Sequence, residues 1–144
     1  MKRINEIIGD RTEVYSVQKS DSAREAARRM AEWNIRAVTV MDGQKVAGIV
    51  SNWDFLTRVI AKGLDPERTT VGEVMTPNPM TATPDATYAE CLVTMLENDF
   101  QHLVVVTREG ELRGTVAIGD LLKIDKRERD EVIQFYQEMF SGGR

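Results

Sequence analysis

Shifted by 65 residues, this chain of 144 residues falls back onto itself. Ala23 meets Tyr88, Ala26 meets Cys91, Ala27 meets Leu92 and Met30 meets Met95. Ile35 falls on Phe100, Val38 on Leu103 and Val40 on Val105. Past the next turn the shift becomes 66, because the turn at Thr107-Arg108-Glu109-Gly110 carries one more residue than the turn around Asp42-Gly43. It then pairs Gly48 with Gly114, Asp54 with Asp120 and Leu56 with Leu122. Self-similarity at a fixed period marks a duplicated supersecondary unit whose copies bury their apolar faces against each other. The chain is two similar halves.

Each half has the same local grammar. Short extended segments at 13–17 (EVYSV) and 79–83 (PMTAT) lead into polar turns, Lys19-Ser20-Asp21-Ser22 and Pro84-Asp85-Ala86-Thr87, that supply helix caps. Helices are predicted over 22–33 and 87–98, with apolar or small residues at 23, 26, 27, 30 and at 88, 91, 92, 95. The β-rich runs RAVTVM and KVAGIVS, and again HLVVVT and ELRGTVA, read as hairpins. A helix follows each hairpin, at about 53–62 and from about 119 onward. The order is β-α-β-β-α, twice, an α+β fold. Two such halves are too small to be comfortable alone, so their sheets are expected to pack face to face. Between them runs the turn-rich Gly63-Leu64-Asp65-Pro66-Glu67-Arg68-Thr69-Thr70. Val71, Val74 and Met75 after it echo Ile4, Ile7 and Ile8 near the start.

At the far end Val132, Phe135, Tyr136, Met139 and Phe140 form an amphipathic stripe, stopped by Ser141-Gly142-Gly143. Such a helix buries its stripe either on its own body or in a dimer interface.

Composition removes several classes of function. Net charge is -4, and the basic residues alternate with Glu25 and Glu32 or with the acids between Lys123 and Glu131, which argues against nucleic-acid binding. The longest apolar run, Leu103-Val104-Val105-Val106, is far too short to cross a bilayer. No signal-peptide core follows Met1-Lys2-Arg3-Ile4, and the single cysteine, Cys91, permits no internal disulfide, so a cytoplasmic location is expected. One His and one Cys give no metal-ligand spacing, and no nucleophile turn is present.

One repeated motif carries chemistry: Gly48-Ile49-Val50-Ser51-Asn52-Trp53-Asp54 and Gly114-Thr115-Val116-Ala117-Ile118-Gly119-Asp120. In each, a strand ends at a glycine-led turn where a helix begins. A helix start offers free N–H groups to an anion, a serine adds a hydroxyl, and an aspartate can accept from two ribose hydroxyls. Together these describe a nucleotide. For either copy alone, an aspartate that simply caps its helix explains the residues as well.

The whole stretch from about residue 4 to 124 resembles a tandem pair of CBS domains, the Bateman module named for cystathionine beta-synthase. Its ligand signature is glycine, an apolar residue, any residue, Thr or Ser, two further residues and aspartate. GIVSNWD fits at every specified position, while GTVAIGD departs at Thr115 and Ala117. VGEVMT at 71–76 and QHLVVV at 101–106 also look like family segments. The resemblance implies repeat 1 at 4–63, a linker and lead-in at 64–79, the core of repeat 2 at 80–124, and a C-terminal helix and tail at 125–144. It further implies pseudo-twofold packing of the two sheets around two clefts for an adenine nucleotide, AMP, ATP or NAD.

Carried over residue by residue, one cleft uses Ser51, Asp54 and Ile49 with the opposing Met80. The other uses Asp120, Gly119 and Thr115 with the opposing Tyr15. Arg36 in one copy and Gln101-His102 in the other reach the phosphates. Arg58 is either a further phosphate ligand or a solvated helix residue, and Trp53 either covers the ligand or obstructs its cleft. The implied role is a non-catalytic regulatory module, a homodimer through small-residue helices (Ala23, Ala26, Ala27, Ala31), with nucleotide as regulatory ligand and no catalytic cofactor. The alternative is a structural or interaction protein with degenerate clefts.

Overall fold

The computed structural model describes residues 2–9, 11, 13–123 and 126–141. Both halves carry the β-α-β-β-α order. In the first it is β1 (Ser16–Gln18), α2 (Ala23–Trp33), β2 (Ala37–Asp42), β3 (Lys45–Ser51) and α3 (Asn52–Phe55). In the second it is β5 (Thr81–Ala82), α5 (Tyr88–Asn98), β6 (His102–Val106), β7 (Leu112–Ala117) and α6 (Ile118–Leu122). Before these units stand two short helices, α1 (Asn5–Ile8) and α4 (Val71–Val74), and β4 (Thr76–Pro77) follows α4. The last helix is α7 (Lys126–Ser141).

The paired helices are punctuated alike. Ser22 Oγ accepts from the Glu25 amide at 3.0 Å, and Thr87 Oγ1 accepts from Glu90 at 3.2 Å, with the Glu90 carboxylate returning to the Thr87 N–H. Both helices end on a left-handed residue, Asn34 and Asp99, each at φ 56°. The buried stripe of α2 is narrower than its sequence suggests. Ala23, Ala26 and Met30 are buried, while Ala27 and Ala31 face out.

The strands form two sheets, β1-β2-β3-β4 and β5-β6-β7, and in each the first strand is parallel to the second. β2 meets β7 across the interface, where the hydroxyls of Thr39 and Thr115 lie 3.1 Å apart. Thr39 is fully buried there, so the shared hydrogen bond satisfies an otherwise costly polar group.

The two lead-in helices do not pack where chain order would put them. Ile4 and Ile8 join the core of the second half with Cys91, Met95, Leu103 and Leu121. Val71 and Val74 join the core of the first half with Val17, Ala26, Val38 and Val50. β4 then extends the first sheet by pairing with β3. Each half is therefore completed by a segment from outside its own repeat.

Two helices depart from expectation. The one after Ser51 runs only four residues as α-helix and continues as a π turn over Leu56–Ile60, closed by the Ala61 N–H to the Leu56 carbonyl at 2.9 Å. The helix expected from about 119 onward is two, α6 and α7. In α7, Val132 is buried and Phe135 half-buried on the second core, so this part of the stripe is covered by the protein's own body. Further along, the tilted rings of Tyr136 and Phe140 lie 4.7 Å apart and Met139 is exposed. Of the expected stop, Gly142 and Gly143 lie outside the described residues. No helix among the described residues is long and apolar enough to cross a membrane.

Candidate functional site

The duplicated turns come out differently in the two halves. In the first, Asp54 closes a capping box. Its Oδ2 accepts from the Ser51 amide at 2.8 Å and from Ser51 Oγ at 3.2 Å, while Ser51 Oγ lies 3.4 Å from the Asp54 amide. The other carboxylate oxygen is 3.7 Å from Arg58 Nε, and the Asp54 side chain is only 12% exposed. Arg58 Nη1 donates to the carbonyls of Val74 and Met75, at 2.9 and 3.0 Å, which anchors the guanidinium on α4. β4 lies along Gly48 and Ile49, and a Cβ on Gly48 would stand 2.6 Å from both Met75 Sδ and the Thr76 carbonyl. Met80 packs on the core of the second half. Trp53 is 65% exposed on the helix surface, with Leu56 and Ile60. The polar groups around Ser51 thus have partners within the chain.

In the second half a cleft of about 620 Å³ is open. Tyr15 and Arg36 enter it from the first half, and His102, Thr115 and Asp120 from the second. Asp120 Oδ2 accepts from the Ala117 amide at 2.9 Å, but its side chain is 31% exposed. Of the eleven positions singled out in the sequence, these five share one cleft. Ser51, Asp54, Ile49 and Met80 do not line it, and neither do Gln101 and Gly119. The Gln101 carbonyl instead accepts from the Ile118 N–H at 2.9 Å, as the Arg36 carbonyl does from Asn52.

Those two bonds also occupy the first helical amide of each turn, where the sequence suggests donors for an anion. The Asn52 and Ile118 amides donate to the carbonyls of Arg36 and Gln101, just ahead of β2 and β6, Trp53 N–H to Asn52 Oδ1, and Ser51 and Ala117 amides to their aspartates. With helices this short, side chains are the stronger source of charge for an anion.

The cleft supplies it from residues the sequence did not single out. Arg11, Glu13, Asn34 and Lys123 line it as well. Among the described residues three cations, Arg11, Arg36 and Lys123, line it with two carboxylates, Glu13 and Asp120. Arg11 Nη2 donates to Asp120 Oδ2 at 3.1 Å, and Nη1 donates to the Thr115 carbonyl. Burial pushes the His102 imidazole below its ordinary range, against the opposing pull of Asp120. It is neutral at pH 7 and can accept as well as donate. The Tyr15 phenol is raised, chiefly by its hydrogen bond to Glu13, and its ring stacks on Trp33 at 4.5 Å. Val14, Ile35 and Val38 give the cleft an apolar wall. An aromatic ring, a pair of hydroxyls and an anion all find complementary groups in this space.

Elsewhere the chemistry is spent on packing. Cys91 is buried and its thiol is pushed up to about 11 by desolvation, which keeps it protonated and inert. Among the described residues no group of three or more His, Cys, Asp or Glu stands together as metal ligands.

The family model for the CBS domain matches twice, over residues 4–61 and 71–127. The chain belongs to the CBS domain family. As a CBS pair it is 37% identical over 121 residues to the CBS domain-containing protein CBSCBSPB3 of Arabidopsis thaliana, a match covering 84% of this chain and 21% of that protein. The chain thus spans about a fifth of the length of the curated relatives first matched. Among solved structures, the CBS-domain containing protein ATU1752 of Agrobacterium tumefaciens superposes with a TM-score of 0.75 at 28% identity, covering 84% of this chain and 96% of that one. The CBS domain protein PAE2072 of Pyrobaculum aerophilum, solved in complex with AMP, gives 0.81 at 22% identity, covering 92% and 99%, a likeness of fold.

Proposed function

We propose that this CBS pair is a regulatory module that binds one adenine nucleotide in the Asp120 cleft, without turning it over, and signals through the relation of its two halves. The observation that carries the reading is the convergence of Tyr15 and Arg36 with His102, Thr115 and Asp120 in one open cleft between the halves. Asp120 receives the ribose hydroxyls, Tyr15 and the apolar wall hold the base, and Arg36 with Lys123 and His102 receives phosphate. The AMP complex of PAE2072, a protein of the same fold, supports the ligand class.

A ligand that touches both halves stabilises the arrangement in which both sets of contacts are made, and only that difference in affinity can shift an equilibrium. Thr115 supplies a mechanical link, since its hydroxyl bonds Thr39 at the centre of the first sheet. Melting with AMP, ADP, ATP, NAD and S-adenosylmethionine tests the reading. At a hundred times its dissociation constant a bound nucleotide adds ~2.7 kcal/mol, a rise of roughly 5–10 °C for a chain of this size. A melting temperature unmoved by all five at millimolar concentration overturns it.

The working form is a homodimer. Trp53, Leu56 and Ile60 make an exposed apolar stripe beside α2, whose Ala27 and Ala31 face out, and Leu122 repeats the position of Leu56 on the other half. Exposed apolar residues grouped in this way mark an interaction surface. Sedimentation at micromolar concentration is expected to give a species of two chains; a single chain at every concentration overturns the assignment.

A further inference from the structure

We infer that Arg11 is an exchangeable latch on Asp120 that makes the cleft select phosphorylated nucleosides over the bare nucleoside, an inference that rests on the nucleotide reading above. In the free protein the Arg11 guanidinium holds the groups that a nucleoside needs. Nη2 donates to Asp120 Oδ2, and Nη1 donates to the Thr115 carbonyl. That same Oδ2 also takes the Ala117 amide. A ribose that engages Asp120 through both hydroxyls competes directly with the guanidinium.

The latch is built to yield. Arg11 and Asp120 side chains are 33% and 31% exposed, and ion pairs so open to water contribute little. What matters is where the guanidinium goes once released. Arginine stays charged at any physiological pH and its fork of donors fits an oxyanion. Among the described residues the other carboxylate lining the cleft is Glu13, which sits against the Tyr15 phenol and raises it. A bare nucleoside therefore takes Asp120 from Arg11 and offers no anion in return. A 5′-phosphate supplies one inside the same cleft.

The closed half provides an internal comparison. There the chain between α4 and β5 runs as β4 and pairs its main chain with Gly48 and Ile49. In the open half the chain between α1 and β1 reaches Thr115, the counterpart of Ile49, through the Arg11 side chain. A main-chain strand is a fixed closure, whereas a guanidinium can let go. Arg11 has no match in the repeat, so nothing in the duplication marks it.

Binding of AMP and adenosine to the wild type, Arg11→Ala and Arg11→Lys, read by calorimetric titration, tests the latch. The wild type is expected to favour AMP by at least about a hundredfold. Arg11→Ala loses roughly tenfold in AMP affinity, the scale of one charge-assisted contact to phosphate. It gains up to about fivefold for adenosine, the scale of one exposed ion pair. Arg11→Lys, which keeps the charge and loses the fork, falls between for AMP. Melting of each variant without ligand, expected within a few degrees of wild type, reports that the fold is intact. If Arg11→Ala weakens both ligands by one factor, or leaves their ratio unchanged, Arg11 is not a latch while the nucleotide reading stands. A wild type that binds neither ligand overturns both.

Discussion

Asp120→Ala is expected to cost at least about a hundredfold in AMP affinity, and Asp54→Ala to leave that affinity within a factor of about two. The two aspartates occupy equivalent places in the duplicated motif, so the contrast comes entirely from their surroundings. Asp120 faces an open cleft with one oxygen shared by Ala117 and Arg11, and its removal takes away both ribose acceptors. Each hydrogen bond to a charged group is worth about 1.5–3 kcal/mol, so two suffice for the loss. Asp54 is buried in its own capping box with Ser51 and beside Arg58. Its removal should instead lower stability by about 1–2 kcal/mol, the cost of a lost cap and an unsatisfied Ser51 amide. Calorimetric titration and thermal melting of the two variants read the two effects separately. Equal loss of AMP affinity in both would show that the first cleft binds too.

The second large effect is on folding. Ile4→Ala should destabilise the protein by about 3 kcal/mol, because Ile4 is fully buried and its loss leaves a cavity in a packed core. The location of the damage is the sharper expectation. Ile4 belongs to the core of the second half, with Met95, Leu103 and Leu121, although in sequence it stands ahead of the first β-α-β-β-α unit. Native-state hydrogen exchange should show protection falling in α5, β6 and β7 more than in β1 to β3. Denaturant melts measure the size of the loss. A cost under about 1 kcal/mol, or protection lost first in β1 to β3, would contradict the exchange of lead-in segments.

Much of this fold was legible in the residues themselves. The duplication places Val38 on Leu103 and Val40 on Val105, and all four are buried in equivalent strands. Ser22 and Thr87 announce the helix starts, and both side chains accept the expected amide. The family resemblance, carried over residue by residue, sets Tyr15 opposite Asp120, and both line one cleft, which Arg36 joins.

What stayed hidden has physical reasons. Val71 and Val74, like Ile4 and Ile8, are short apolar pairs that say they need a core without saying whose. The path of the intervening loop decides. β4 is two residues long, too short for alternation to register. The motif names residue types, but not whether a hydroxyl turns toward its helix or toward a cleft. Ser51 fits the signature best and turns toward its helix, while Ala117 departs from it and borders the open space. Arg11, Glu13 and Lys123 have no charged counterpart in the other half and are indistinguishable in sequence from any solvated surface.

The asymmetry between the two halves is the centre of this account, and the number of nucleotides held by each chain tests it most directly. Equilibrium dialysis of the wild-type protein against AMP, carried to saturation, is expected to give one AMP per chain. Two per chain, with the second lost on substituting Asp54, would contradict it.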